Sequence, residues 1–325
     1  MLYIFTKKVL KFELYKTVLA GFFIALITFC GMFYLYVKPL SWTMINVNYS
    51  PQQGDAHLIQ TSKGKNILID TGHLAPARNA LMPYLKKSGI KKIDTVFITH
   101  PHKDHYLGLL AILESGISIE TVYMNDIGRK ECEAEMPYGC DYEEIVSYRV
   151  MLKNNQVKVL EGKAGMAFDL GLGSSLKILY AFDGVNTPVG RTDINDMSYI
   201  MLLKHGFNSA LFTGDLNAKL GDYLAKEGKD LKVDILKLPH HGTEGAAPDA
   251  FFAAASPKDV LVPSPALLWC TPRSARMKNW VESRKIPTYV NGFSGHVTVK
   301  MGLFNYSIEA ERPQTRLPSP ECPVQ

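Results

Sequence analysis

The chain has 325 residues, 46% hydrophobic and 21% charged, a balance that excludes wholesale disorder and leaves ample length for a large buried core. Its net charge of +5 is unevenly placed: residues 1–38 hold five lysines and Glu13, contributing +4 and leaving +1 for the rest. The basic balance is therefore no sign of a duplex nucleic-acid surface.

In chain order, the first element is "TVLAGFFIALITFCGMFYLYV", Thr17 to Val37, which lacks any charge and is long enough to cross roughly 30 Å of hydrocarbon. Lys7, Lys8, Lys11 and Lys16 precede it, so the positive-inside bias keeps residues 1–16 in the cytoplasm. The expectation is a single-pass signal anchor over 17–37 in the cytoplasmic membrane, with the remainder periplasmic or at the cell surface. A cleaved signal peptide fits less well, given the length of the run and the lack of an A-x-A site. Phe29 before Cys30 argues against a lipoprotein.

After the anchor, "SWTMINVNY" alternates as a strand and "AHLIQTSKGKNILIDTG" reads as a hairpin turning at Gly64. "RNALMPYLKKSGI" has helical spacing, "IDTVFIT" is an apolar strand, and "YLGLLAILESG" is a helix. Residues 126–145 read as an acidic loop whose Cys132 and Cys140 suit a local disulfide; Cys270 is left either to pair with Cys322 or to stay buried. Then follow strands in "SSLKILYAF" and "SYIMLLKHGFNSALFTGD", the helix "LNAKLGDYLAKEG", and strands "VDILKLPHHGT" and "DVLVPS". The helix "SARMKNWVESRK" and the strands "TYVNG" and "HVTVKMG" close the pattern. Strands and helices alternate in each half, which predicts a layered α/β domain with two related halves. The proline-rich tail 311–325 is expected to be flexible.

Four strand ends carry donor side chains: Asp70, the loop "HPHKDH" (His100, His102, Asp104, His105), Asp215, and the pair His240 and His241. Imidazole nitrogens and carboxylate oxygens suit zinc, manganese or iron. Alternate residues of a tight loop face one way, so His100 and His102 are expected on one cation and Asp104 and His105 on a second. Asp215 would bridge them across a hydroxide nucleophile. His57 and His73 read as surface loop residues and His296 as structural.

These segments resemble the metallo-β-lactamase superfamily, and within it ComEC-type competence proteins and exported phosphodiesterases of the phosphorylcholine-esterase kind. "QGDAHLIQTSKGKNILIDTG", "ITHPHKDH", "NDMS", "FTGDL" and "LKLPHHGT" occur in the family's order. The resemblance implies a four-layer αββα sandwich over 42–310 with two divalent metal ions, Zn or Mn, on one edge. It implies that His100 and His102 bind the first metal, Asp104 and His105 the second, and that Asp215 bridges. One of His240 and His241 completes the second site, and Asp70, counted with Asp104 among the catalytic residues, orients the loop. Ser198 and Lys237 fall where substrate anions would be met. "NDMS" stands in place of the third-motif histidine of true lactamases, and Cys270 where many relatives have histidine. The expected activity is phosphodiester hydrolysis on a nucleic-acid fragment, nucleotide or envelope phosphoester. Thioester or lactone hydrolysis, or a non-catalytic scaffold in DNA uptake or envelope assembly, are the alternatives; oligomeric state is left open.

Overall fold

In the computed structural model the residues described are 15–28, 39–48, 52–134, 140–183, 193–227, 230–313 and 318–322. The chain divides into two compact units, Met1–Lys38 and Pro39–Gln325. In the first, residues 15–28 are helical, and Phe22, Phe23, Ile24 and Ile27 are exposed. No helix among the described residues is long and apolar enough to cross a membrane. Residues 29–37 of the predicted span lie outside the described residues.

The second unit contains strands β1 (Leu40–Met44), β2 (His57–Gln60), β3 (Asn66–Ile69), β4 (Lys92–Phe97), β5 (Ser118–Tyr123), β6 (Lys158–Leu160), β7 (Ala167–Gly171) and β8 (Ser174–Tyr180). It continues with β9 (Ile200–His205), β10 (Asn208–Phe212), β11 (Ile235–Lys237), β12 (Asp259–Val262), β13 (Thr288–Val290), β14 (Val297–Met301) and β15 (Tyr306–Ala310). They form two sheets, ordered β15-β14-β1-β2-β3-β4-β5-β6 and β13-β12-β11-β10-β9-β8-β7. Strands β3 to β6 run parallel, as do β10 to β13. Parallel neighbours need crossovers, and helices supply them: Met82–Lys87, Gly108–Glu114 and Tyr142–Asn154 in the first half, Ala218–Glu227, Asp249–Ala255 and Ala275–Ser283 in the second.

Three cores follow from the period-2 alternation of buried strands. On β3, Ile67 and Ile69 pack between the sheets with Trp42, Phe97, Leu203 and Phe212. Leu68 faces outward, with Leu85, Leu109, Ile112 and Leu152 of the first-half helices. The second sheet repeats this, Leu211, Leu236 and Val260 packing under Leu220, Phe251, Met277 and Trp280. The result is helix, sheet, sheet, helix.

Three expectations change. The stretch read as an acidic loop holds the helix Arg129–Glu133 and the start of Tyr142–Asn154, whose first turn is capped by Asp141 accepting from the Glu144 amide at 3.1 Å. The last hairpin, β14–β15, pairs with β1 of the first sheet, so the two halves are interlocked. The tail is held at 318–322: Cys322 is bonded to Cys270, the Thr288 amide donates to the Pro318 carbonyl at 2.8 Å, and Trp269 Nε1 donates to Ser319 Oγ at 3.3 Å. Cys132 and Cys140 form the second disulfide.

Candidate metal centre

The donor-bearing segments are the carboxyl ends of two adjacent parallel strands in each sheet: β3 and β4 in one, β10 and β11 in the other. Ligand sites collect there because the chain turns away from the sheet, leaving side chains and loop backbone facing a shared crevice. The turns are sharp. Asp70 (φ 58°), His240 (φ 50°) and His241 (φ 53°) all adopt the left-handed conformation, at a cost of about 1–3 kcal/mol each. Gly108 lets the histidine loop close on the turn after β3, since a Cβ there would lie 2.1 Å from the Thr71 carbonyl oxygen. The Thr71 amide and hydroxyl both donate to the His105 carbonyl, at 2.7 and 2.9 Å.

Asp104, His105, Asp215 and His241 offer one donor atom each, all within 4.8 Å of one another and all buried. His105 Nε2 lies 3.3 Å from Asp215 Oδ2 and 3.8 Å from Asp104 Oδ1. His241 Nε2 lies 3.1 Å from Asp215 Oδ2 and 3.2 Å from Asp104 Oδ2. Both rings are fixed from behind. Asp70 Oδ2 takes His105 Nδ1 at 2.9 Å, while its two oxygens accept the Thr99 amide and hydroxyl, each at 2.8 Å. The carbonyl of Pro263 accepts from His241 Nδ1 at 2.8 Å. With each Nδ1 donating, each neutral ring presents the lone pair of Nε2 to the carboxylates.

Without a cation, protons must fill that role. Burial lowers the proton affinity of His241, but Asp215, Asp104 and Asp55 reverse this and carry its pKa up to about 10. His105, opposed by burial in the same way, is raised well above normal by Asp215, Asp70 and Asp104. Burial pushes the carboxyls of Asp104 and Asp215 up, and the facing imidazoles overcome it and hold both low. Two positive charges thus belong between these carboxylates, the charge of one divalent cation. Among the described residues, His105 Nε2, His241 Nε2 and Asp215 Oδ1 also have no hydrogen-bond partner. Two imidazoles and two carboxylates fit such a cation.

His100 and His102 form a separate pair, with His100 Nε2 3.0 Å from His102 Nδ1. The His100 ring packs on His105 at a centroid distance of 4.1 Å. Burial first, then His105 and His102, hold His100 well below the usual imidazole range, which keeps it neutral and able to ligate. Its Nδ1 meets hydroxyls, Thr99 Oγ1 at 3.1 Å and Ser198 Oγ at 3.3 Å.

Other sequence expectations fall elsewhere. Ser198 is fully buried and its Oγ accepts the Asp215 amide at 3.0 Å, so it braces two donors instead of facing substrate. Lys237, expected to meet substrate anions, is buried and paired within the fold. Its ammonium is buried 2.5 Å from Asp55 Oδ2, donates to the Gly214 carbonyl at 2.7 Å, and lies 3.6 Å from Asp215 Oδ1. Burial disfavours both charges, and each keeps the other ionised: Lys237 is raised, Asp55 lowered. Asp55 was missed; "QGDAHLI" offered only an acid after a glycine, the look of a turn. His57 is buried on β2, accepting from Trp42 Nε1 at 3.3 Å, and is no surface loop residue. His240 stands outside the four-donor cluster, its Nδ1 donating to Asn217 Oδ1 at 2.7 Å. His296 is structural, accepting the Asn46 amide at 3.0 Å.

A model described as Metallo-beta-lactamase superfamily matches residues 49–129. Over 268 residues the chain is 25% identical to Competence protein ComA of Neisseria gonorrhoeae, covering 80% of this chain and 32% of that protein. The chain thus spans about a third of the length of that curated relative. A shorter stretch of 84 residues is 37% identical to Ribonuclease Z of Clostridioides difficile, covering 25% of this chain and 26% of that one. Among solved structures, CmlA, a diiron beta-hydroxylase from Streptomyces venezuelae, superposes with TM-score 0.54 at 13% identity over 82% of this chain and 54% of that chain. That likeness concerns the fold alone.

Proposed function

We propose, from the chain's similarity to the metallo-β-lactamase superfamily and to a ComA competence protein, that it is a membrane-anchored, extracytoplasmic, metal-dependent phosphodiesterase. One observation carries the reading: two buried imidazoles, their Nδ1 atoms already engaged by Asp70 and Pro263, turn partnerless Nε2 atoms onto Asp104 and Asp215.

On this reading Asp104, His105, Asp215 and His241 would hold one cation, and His100 and His102 would contribute to a second. Such cations supply Lewis acidity toward a phosphoryl oxygen and an activated water near neutral pH. The chain's own residues do the positioning. Asp70 orients His105, Ser198 steadies His100 and the backbone of Asp215, and the ion pair of Lys237 with Asp55 neutralises the floor beneath Asp215. The serine where lactamases place a third-motif histidine, and the local similarity to a protein named Ribonuclease Z, favour a phosphoester over a lactam.

The anchoring rests on the uncharged run Thr17–Val37, of which residues 15–28 are helical with apolar side chains exposed. The two disulfides support an oxidising, extracytoplasmic compartment. The test is the full chain stripped of metal, reloaded with Mn²⁺ or Zn²⁺, and offered bis-aryl phosphodiesters, single-stranded DNA, thioesters and lactones. Metal-dependent turnover of a phosphodiester supports the reading. Turnover of acyl esters alone replaces it with the acyl-hydrolase alternative, and no turnover at full metal loading leaves the scaffold.

A further inference from the structure

Phe207 and Phe304 are 79% and 67% exposed, the most exposed large apolar side chains described in the second unit. Their rings stack, with centroids 5.6 Å apart and planes at 19°. They come from the tips of two hairpins, β9–β10 and β14–β15, joined by the Phe207 amide donating to the Leu303 carbonyl at 2.8 Å and by Asn208 Nδ2 donating to the Gly302 carbonyl at 2.7 Å. A third tip adjoins them, the Gly206 amide donating to the Gly173 carbonyl at 3.3 Å. There Gly171, Leu172 and Gly173 are successive left-handed residues. Leu172 is a poor occupant of such a conformation, and it is 40% exposed.

The register fixes where these tips lie. Leu40, the first residue of β1, pairs with Met301, next to the β14–β15 turn, and Ser41 pairs with Gln60, next to the turn bearing Lys63 and Lys65. The chain therefore enters this unit, directly after its apolar run, at the end that carries Leu172, Phe207 and Phe304. The metal centre is at the other end: β10 starts beside the tip at Asn208, runs to Phe212, and Asp215 follows, a span of roughly 20 Å at strand rise. Lys63, Lys65, Lys204 and Lys300 are exposed toward the tip end, Lys300 also pairing with Glu309 at 2.8 Å.

We propose that this end is a membrane-contacting face: the three apolar tips sit at the boundary between headgroups and acyl chains, with the neighbouring lysines on anionic headgroups. Aromatic rings flanked by lysine are the side chains that favour that layer. This rests on the anchor reading and extends it to a face of the second unit, whose three tips lie about a strand length from the metal centre.

The test uses the full chain reconstituted into vesicles containing anionic lipid. Trp42, Trp269 and Trp280 are all buried, so an indole introduced by Phe207→Trp, or separately by Phe304→Trp, reports on the tip. Lipids brominated near the headgroup are expected to quench the added emission several-fold, leaving the native tryptophans little changed. Emission that stays open to an aqueous quencher, or protection that needs no lipid and rises with protein concentration, overturns the proposal, the latter in favour of a second copy. Carbonate extraction reports the anchor separately. If the chain is released, the anchor reading fails, and flotation of residues 39–325, a unit holding all three cores, on anionic vesicles decides. Flotation abolished by Phe207→Ser with Phe304→Ser supports the face; no flotation of the parent overturns it.

Discussion

His105 and His241 are each gripped from behind, by the Asp70 carboxylate and the Pro263 carbonyl, and face two carboxylates in front. His100 and His102 face one another at 3.0 Å, and among the described residues His100 Nδ1 is backed by the hydroxyls of Thr99 and Ser198. A carboxylate or carbonyl behind an imidazole fixes its tautomer and raises its basicity; a hydroxyl, which can donate or accept, does neither as firmly. The difference teaches that a pair of metal sites built from one loop need not be equal. On the proposed reading the four-donor site would hold its cation tightly, and the two-imidazole site would hold one that exchanges.

The variant that breaks this contrast most severely is Asp215→Asn, which removes the carboxylate facing both His105 and His241. Elemental analysis of the purified chain is expected to lose the tight metal, and phosphodiester turnover to fall by more than about 100-fold, beyond what an outer-sphere change costs. Retention of that metal would sink the assignment. Next comes Asp55→Asn, which leaves the Lys237 ammonium buried without its closest partner. Breaking one side of a buried ion pair costs about 3–5 kcal/mol, so thermal unfolding of the metal-free chain should move sharply downward; an unmoved transition would mean the pair is not the floor of the tight site.

Asp70→Asn tests the grip itself. It should lower metal affinity or activity by about 10–100-fold, with the larger loss at the four-donor site, since Asp70 holds His105 directly and reaches His100 only through Thr99. The smallest effect is a pH dependence of the metal-free chain. His241 has its pKa raised to about 10 in the fold from about 6.5 unfolded. Its stabilisation is therefore fully present below about pH 6.5 and is lost as pH rises through about 10. Chelated protein should lose stability over that window, and metal-loaded protein, in which a cation replaces the protons, should not. Parallel curves for the two forms would contradict the charge balance drawn for the cluster.

Much of this was legible because the histidine loop is contiguous: four donors in six positions at the end of an apolar strand need no tertiary knowledge to stand out. Asp215 and the His240–His241 pair were legible as strand ends, although choosing His241 required seeing that His240 turns to Asn217. Asp55 was missed, and Lys237 was expected to meet substrate anions, because a buried ion pair between distant segments has no local pattern. The Pro263 carbonyl that sets the His241 tautomer is backbone and leaves no trace in composition. In the fold, the helix Tyr142–Asn154 was hidden by its charged, weakly amphipathic sequence. The tail looked loose because its prolines were visible and its attachment, through Cys322 and Ser319, was not.

The most direct test of unequal sites is a stepwise metal titration of the chelated full chain, reading bound metal and bis-aryl phosphodiester turnover together, with His102→Ala alongside. The wild type should take one equivalent tightly and a second weakly, turnover appearing with the second, while His102→Ala keeps the first equivalent and loses the second. Two equivalents bound with equal affinity, or a first equivalent lost in His102→Ala, would contradict the account.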